Sequence, residues 1–306
     1  MAFFSVVISV YNKEKHIQQT IESVLNQTFK DFEIIVINDG STDNSENIIS
    51  AYEDKRIKLI TTANQGASNA RNRGLKEATS NYIALLDGDD TWDASFLQHM
   101  YDAIQKFPEL NIFSTGIAQQ YENKVIPVVY NFKQQDLYGI HNFFQASQKY
   151  SLITSSSVVF NRSILDKTGR FDPTIVSGQD TDLWLRFGMH YEVLFINKVL
   201  AFYVFNPSSL SNTTFDARKK PKFDKYYTEE KQNKPLKLFL DRNRYSMAIL
   251  SKIQDDKKLY EYYTSQLDSS SLSVRQNVLL NCPRWLLKLL VKIKSLQGEK
   301  IYYPKS

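Results

Sequence analysis

The sequence predicts an α/β fold: a mostly parallel central sheet flanked by helices, followed by a helical extension. Two observations predict the sheet. Short, continuously apolar runs alternate with stretches of helical apolar spacing through the first third of the chain, as strands buried on both faces require. Polar clusters follow these runs, and such sheets bind ligands outside the carboxyl ends of their strands.

The elements follow in order. Phe3 to Val10 is a β-rich apolar run. Lys13 to Gln27 places Ile17, Ile21, Val24 and Leu25 at helical spacing. Phe32 to Ile37 is a second buried strand, Asn44 to Tyr52 a short helix and Ile57 to Thr61 a third strand. Ala67 to Glu77 is helical. Tyr82 to Leu86 is a fourth strand, and Asp93 to Lys106 a further helix. The middle, 108–210, is less regular. Ile153 to Phe160 reads as a strand and Asn161 to Lys167 as a short capped helix ended by Gly169. Asp180 to His190 is helical, with Leu183, Trp184 and Phe187 on one side. Val193 to Ile196 and Val199 to Phe205 read as two strands. Past Asn206 the chain turns polar and basic, Arg218-Lys219-Lys220-Pro221 marks a boundary, and the tail from 222 is helical in pattern. This divides the chain into 1–105, 106–210 and 211–306.

Composition bounds the function. The 306 residues suffice for a sizeable core, and 42% hydrophobic with 23% charged residues are globular values. The single cysteine, Cys282, excludes an internal disulfide and a cysteine-based zinc cluster, and fits a reducing compartment. The four histidines lack metal-ligand spacing. The N-terminus lacks the basic flank and apolar region of a signal peptide, and no apolar stretch is long enough to span a membrane, so a cytoplasmic location is expected. Charge is uneven. Asp216 to Ser306 carries 20 basic and 10 acidic residues, net +10, against −5 for the remainder.

Asp87-Gly88-Asp89-Asp90 ends the fourth strand. Three carboxylates held together raise one another's pKa, and a hard divalent cation relieves that repulsion through oxygen ligands. The plainer alternative is a solvated acidic turn. Three more polar clusters end strands one to three: Ser9-Val10-Tyr11-Asn12, Asn38-Asp39-Gly40-Ser41-Thr42-Asp43, and Asn64-Gln65-Gly66 leading to Arg71. Each alone also reads as ordinary structure. Asp39-Gly40-Ser41 suits a turn with a helix cap, and Arg71 a surface helix position. Their arrival at one sheet edge is what such readings leave unexplained. A nucleoside diphosphate needs these parts. A carboxylate accepts the imide hydrogen of uracil or an amino hydrogen of another base, an aromatic ring flanks the base, and cations neutralise the phosphates.

At this point the chain resembles the family 2 glycosyltransferases of GT-A fold, inverting enzymes of the bacterial surface-glycan type. The strings that carry the resemblance are Val7-Ile8-Ser9-Val10-Tyr11-Asn12, Gln27-Thr28-Phe29, Glu33 to Asp43, Asn64-Gln65-Gly66 through Gly74, Tyr82 to Asp90, and Gly178-Gln179-Asp180-Thr181-Asp182-Leu183-Trp184-Leu185-Arg186. They appear in the family's order and spacing, and the region beyond 210 is not covered. The resemblance implies roles. Ser9, Tyr11 and Asp39 hold the base, with Asp39 suited to uracil. Arg71 lies near the base or diphosphate, and Asp87 reaches the ribose or a metal-bound water. Asp89 coordinates Mn²⁺ or Mg²⁺, with Asp90 beside it. Asp180 matches the general base. Gln179 departs from the family's usual Glu, which removes one negative charge next to the base. Trp184 faces either an acceptor sugar or the core, and its apolar neighbours favour the core. The implied reaction is inverting transfer from a nucleotide-diphosphate sugar to a hydroxyl of a saccharide or lipid-linked glycan.

In the tail, Arg284, Lys288 and Lys292 share a helix stripe, with Leu286, Leu289, Leu290 and Ile293 on other faces and Trp285 near the start. A basic stripe with an apolar remainder suits a helix lying peripherally on an anionic membrane. Docking on the chain's own core or on a second subunit is the alternative. The residues speak against three other function classes. A nucleotide-sugar-binding module without catalysis is opposed by intact Asp180 and Asp89. A nucleic-acid-binding protein rests only on the basic tail, where no such motif occurs. A dinucleotide-dependent dehydrogenase needs a Gly-x-Gly-x-x-Gly after strand one, which is absent.

Overall fold

The structure is a computed structural model that describes residues 1–121, 124–204 and 216–296. Among the described residues ten strands form one sheet: β1 (Phe4–Val10), β2 (Phe32–Asp39), β3 (Ile57–Thr62), β4 (Tyr82–Asp87), β5 (Thr91–Trp92), β6 (Ile112–Tyr121), β7 (Lys124–Pro127), β8 (Tyr138–His141), β9 (Val158–Asn161) and β10 (Val193–Val204). The path across it is β3-β2-β1-β4-β9-β6-β10-β5, with β7 on β6 and β8 on β10. The pairs β1–β2, β1–β4, β2–β3 and β6–β10 are parallel, while β9 runs antiparallel to both neighbours.

Alternation along β1 divides the core. Phe4, Val6, Ile8 and Val10 face one layer with α1 (Ile17–Leu25), α2 (Ser45–Ser50) and, later in the chain, Phe96 to Ile104. Val7 faces the other, with α3 (Ala67–Glu77). There Gly74 lets helix and strand approach closely, since a Cβ would lie 2.2 Å from Val7 Cγ1. Next come α4 (Phe96–Lys106), α5 (Phe143–Ala146), α6 (Leu165–Thr168) and α7 (Gln179–His190). The extension holds α8 (Tyr227–Gln232), α9 (Lys234–Gln254), α10 (Lys257–Ser265), α11 (Val274–Asn281) and α12 (Arg284–Leu296).

Two expectations for the middle region change, and one further strand is present. Val193 to Val204 is one strand, not two. Its register against β6 shifts around Asn197-Lys198, and the carbonyl of Lys198 sits where a Cβ on Gly116 would approach to 2.9 Å, so the bulge needs that glycine. The expected end at Phe205 and the 210/211 boundary lie outside the described residues. Thr154 to Ser157 is a turn rather than strand. Thr154 Oγ1 donates to Ser157 Oγ (2.9 Å), and the Thr154 amide donates to the same oxygen (3.2 Å), so local hydroxyls displace the ladder. The long central strand β6 went unrecognised because Ser114, Thr115 and Gly116 dilute its apolar pattern, although all three are buried.

The extension is packed against the sheet domain. Phe223, Tyr226, Leu236, Phe239 and Leu240 join the core layer that holds Phe143, Phe144 and Trp184. A second cluster, including Tyr245, Ile249, Tyr263, Leu280 and Leu287, lies within the extension itself. Inside α9, Arg244 is buried and ion-paired to Glu230 (2.6 Å) and Asp241 (3.3 Å), so neither acid leaves it uncompensated. Among the described residues no helix is long and apolar enough to cross a membrane.

Candidate active site

The carboxyl ends of β1, β2 and β4 lie side by side, with Ser9 paired to both Ile37 and Asp87. Asp39 closes β2 and is buried. Its two carboxylate oxygens accept from the backbone amides of Gln65 (2.9 Å) and Gly66 (2.8 Å). Those amides enter α3, so Asp39 ties the end of β2 to the helix that carries Arg71. Gly40 makes the tie possible. It has φ +68°, and a Cβ there would sit 2.6 Å from the amide nitrogen of Asn64. Across the rim, the Asn12 amide donates to Ser41 Oγ (3.0 Å), and Asn12 Oδ1 accepts from the Thr42 amide (2.8 Å). Tyr11 beside them is 46% exposed, available to a planar ligand.

The acidic turn gives its three carboxylates different neighbours. Asp87 accepts from Arg71 Nη2 at 2.6 Å. Arg71 is buried, with its guanidinium 5.4 Å from the Phe171 ring centroid and its Nη1 lacking a hydrogen-bond partner. Burial works against that guanidinium. Asp87, then Asp180 and Asp89, outweigh it and raise its pKa above the ordinary arginine value. Asp89 is ion-paired to Lys13. Asp90 is buried and accepts from Ser156 Oγ (2.5 Å) and the Val204 amide (3.2 Å). Burial, then the charges of Asp89 and Asp87, push its carboxyl well above the usual range. Sequence reading missed Lys13 and Ser156. Lys13 had a signal, a cation directly after Tyr11-Asn12. Ser156 had none, because only the fold carries it across to Asp90.

Asp180 lies in the first turn of α7, half-buried, where the helix N-terminus favours a carboxylate. Its Oδ1 accepts from the Thr181 amide (2.8 Å). Its charge reaches Arg71 and also Lys220, whose pKa burial lowers to about 8 against the opposing pull of Asp180. Lys220 Nζ donates to Ser177 Oγ (2.7 Å), and Pro221 covers Gly178, where a Cβ would meet the proline ring at 3.0 Å. Two residues past Asp180, fully buried Asp182 is saturated. It accepts from Tyr226 Oη (2.8 Å), Arg186 Nη2 (2.9 Å) and Arg186 Nε (3.2 Å), and is ion-paired to Lys225 Nζ (2.7 Å). The start of the extension therefore clamps the helix that carries Asp180. Gln179 is buried with Oε1 lacking a hydrogen-bond partner. Trp184 is buried beside Phe187 (5.3 Å) and Phe171 (6.1 Å), in the core rather than on an acceptor surface.

Among the described residues no group of three or more His, Cys, Asp or Glu is placed to hold a metal ion by itself. The donor chemistry still suits a hard cation. Asp87 and Asp89 offer oxygen only, and each already faces a positive charge, from Arg71 and Lys13. A cation here needs phosphate or water oxygens to complete its coordination.

Residues 5–169 match the family model described as "Glycosyl transferase family 2". The chain is 26% identical to an uncharacterized glycosyltransferase of Rickettsia prowazekii, over 89% of this chain and 91% of that protein. It is 35% identical to the UDP-Glc:alpha-D-GlcNAc-diphosphoundecaprenol beta-1,3-glucosyltransferase WfaP of Escherichia coli, over 60% of this chain and 70% of WfaP. An uncharacterized glycosyltransferase of Rickettsia bellii shares 47% identity over 36% of this chain, but only 15% of its own length is spanned. Among solved structures, S. aureus TarS 1-349 in complex with UDP-GlcNAc superposes with a TM-score of 0.66 at 14% identity, covering 97% of this chain and 92% of that one. That likeness bears out the expected sheet-and-helix fold.

Proposed function

The chain belongs to glycosyl transferase family 2 and is a glycosyltransferase, and from that premise we propose inverting transfer from a UDP-sugar to a hydroxyl of a lipid-carried glycan. One observation carries the proposal: the buried guanidinium of Arg71 donates to Asp87 at 2.6 Å, and the charges of Asp89 and Asp180 reach the same group. Acids from the turn at the end of β4 and from the far helix α7 thus face one cation at the sheet edge. WfaP is named for a UDP-glucose donor and a diphosphoundecaprenol-linked acceptor, and TarS binds UDP-GlcNAc; both support UDP as the nucleotide here.

Asp39 receives the uracil imide on lone pairs left free by the two backbone amides, since a carboxylate has about four such sites. Ser9 and Tyr11 complete the base pocket, with Tyr11 against the ring. Asp87 orients the ribose through its bond to Arg71. Asp89, with Asp87 and Asp90 beside it, would hold Mg²⁺ or Mn²⁺, which when bound supplies Lewis-acid stabilisation of the departing diphosphate. Asp180 accepts the proton of the acceptor hydroxyl as its oxygen bonds to the anomeric carbon. The bond from that carbon to the diphosphate oxygen breaks on the opposite face, so configuration inverts. General-base help of this kind is worth ~10²–10⁴-fold. Gln179 keeps a neutral side chain beside the base, so only one carboxylate stands at this point of the chain.

The test is a donor panel. Purified protein with Mg²⁺ or Mn²⁺ is mixed with UDP-, GDP- and dTDP-sugars and scored for thermal stabilisation and hydrolysis. Stabilisation confined to UDP compounds supports the proposal. No stabilisation by any nucleotide removes it.

A further inference from the structure

Helix α12 is apolar on two sides, and among the described residues only one of them is packed on protein. Leu287 is 1% exposed and packs into the cluster of Tyr263, Leu280 and Cys282, with Leu286 at its edge. Arg284 pins the start of the helix, through an ion pair with Asp255 (2.8 Å) and a bond from Nε to the Ile253 carbonyl (3.1 Å). This docking fixes the rotation of the helix. The outward side then presents Trp285, Leu289 and Ile293, which are 67%, 47% and 44% exposed. They are four residues apart, so they span an arc of about 80° at 3.6 residues per turn. Exposed Lys288 and Lys292 follow on the next stripe of the same side. On α11, Val274 and Val278 are likewise exposed one turn apart, with exposed Arg275 beside them. From Arg275 to Leu296 there are five basic residues and no acidic one.

We propose that this outward face of α12 docks on the surface of an anionic lipid bilayer. Trp285, Leu289 and Ile293 enter the headgroup boundary, and Lys288 and Lys292 lie at the lipid phosphates. Charge selects this occupant. A second copy meeting the same face through a two-fold axis brings like charges together, whereas anionic lipid supplies the opposite sign. An exposed tryptophan flanked by lysines on an amphipathic helix is the pattern of residues that settle at a membrane interface. The helix lies on the bilayer rather than through it, because its other face is docked on protein. The inference deepens the reading of a lipid-carried acceptor, and vesicle binding is measured separately from turnover.

The test uses the full chain with extruded vesicles of phosphatidylcholine, alone or mixed with phosphatidylglycerol. Trp92 and Trp184 are buried, so a blue shift of tryptophan emission reports on Trp285. Co-sedimentation and a blue shift are expected with the anionic vesicles only. The double variants Leu289→Gln/Ile293→Gln and Lys288→Glu/Lys292→Glu should each bind at least tenfold more weakly. Both should keep the wild-type circular dichroism spectrum and a single cooperative unfolding transition. Turnover on a soluble acceptor should stay unchanged in both, which separates failure of this surface from failure of the active site. Equal binding to neutral vesicles, or binding that survives both double variants, overturns the proposal. So does a wild-type dimer in sedimentation velocity that Leu289→Gln/Ile293→Gln dissociates without any vesicle binding.

Discussion

Removing one hydroxyl from the clamp on α7 should weaken the fold and slow the reaction together. Asp182 is fully buried and takes four donor contacts, of which Tyr226 Oη supplies one at 2.8 Å. Tyr226→Phe keeps the ring in the core and deletes only that donor. A hydrogen bond to a charged group contributes ~1.5–3 kcal/mol, so the variant should lose about that much stability. Lys225 reaches the same carboxylate at 2.7 Å, but its side chain is 45% exposed, so screening and side-chain entropy leave it ~0–1 kcal/mol. The order is therefore fixed: Tyr226→Phe costs more than Lys225→Ala, despite the latter removing a full charge. Urea unfolding measures both. Asp180 sits two residues from Asp182 in the same helical turn, so Tyr226→Phe should also lower kcat several-fold while the donor KM stays near wild type. A Lys225→Ala cost equal to or above that of Tyr226→Phe, or an unchanged kcat alongside the expected loss of stability, refutes the reasoning.

Other consequences can be read in the same assays. Gly40→Ala forces a side chain into a left-handed backbone at +68° and against the Asn64 amide at 2.6 Å; a stability loss of ~1–3 kcal/mol and at least tenfold weaker UDP binding by calorimetry are expected. Trp184→Ala should cost ~3–5 kcal/mol in denaturant unfolding, as a buried aromatic does, whereas Trp184→Phe should leave the acceptor KM unchanged. Lys220 gives a pH signature. Its pKa falls from 10.5 to about 8 in the fold through burial, only partly offset by Asp180. The unfolded chain then holds this proton to higher pH than the native one, so Lys220 makes stability rise between about pH 8 and 10.5. Lys220→Met should lack that rise when its unfolding curve is subtracted from wild type across the window.

Much of the sheet edge was legible before any coordinates. β1 to β4 are mostly apolar runs that end in polar clusters, and a parallel sheet puts their carboxyl ends together without further information. Helix α3 matched its expected limits because Gly66 starts it and its apolar spacing is regular. The far half was harder. The pairings of β6 and β9 are set by distant segments, and buried hydroxyls at Ser114, Thr154 and Ser157 erase the apolar signal that would mark them. The acidic turn announced its charge but not how it is shared. Nothing local in the sequence assigns Asp87 to Arg71, Asp89 to Lys13 and Asp90 to Ser156. The clamp from Lys220 to Tyr226 was hidden for the same reason, because the polar, basic stretch before it reads as the start of an independent tail. Trp184 was readable as core, since Leu183 and Leu185 flank it.

The measurement closest to the centre is Asp180→Asn, read two ways on one preparation. UDP-sugar affinity by calorimetry should match wild type, because the substitution keeps the side chain's size and the base pocket is built from other loops. Transfer should fall by ~10²-fold or more, the share of rate that a positioned base supplies. Transfer at the wild-type rate contradicts the role given to Asp180, and a parallel loss of donor affinity contradicts the separation of the two halves of the site.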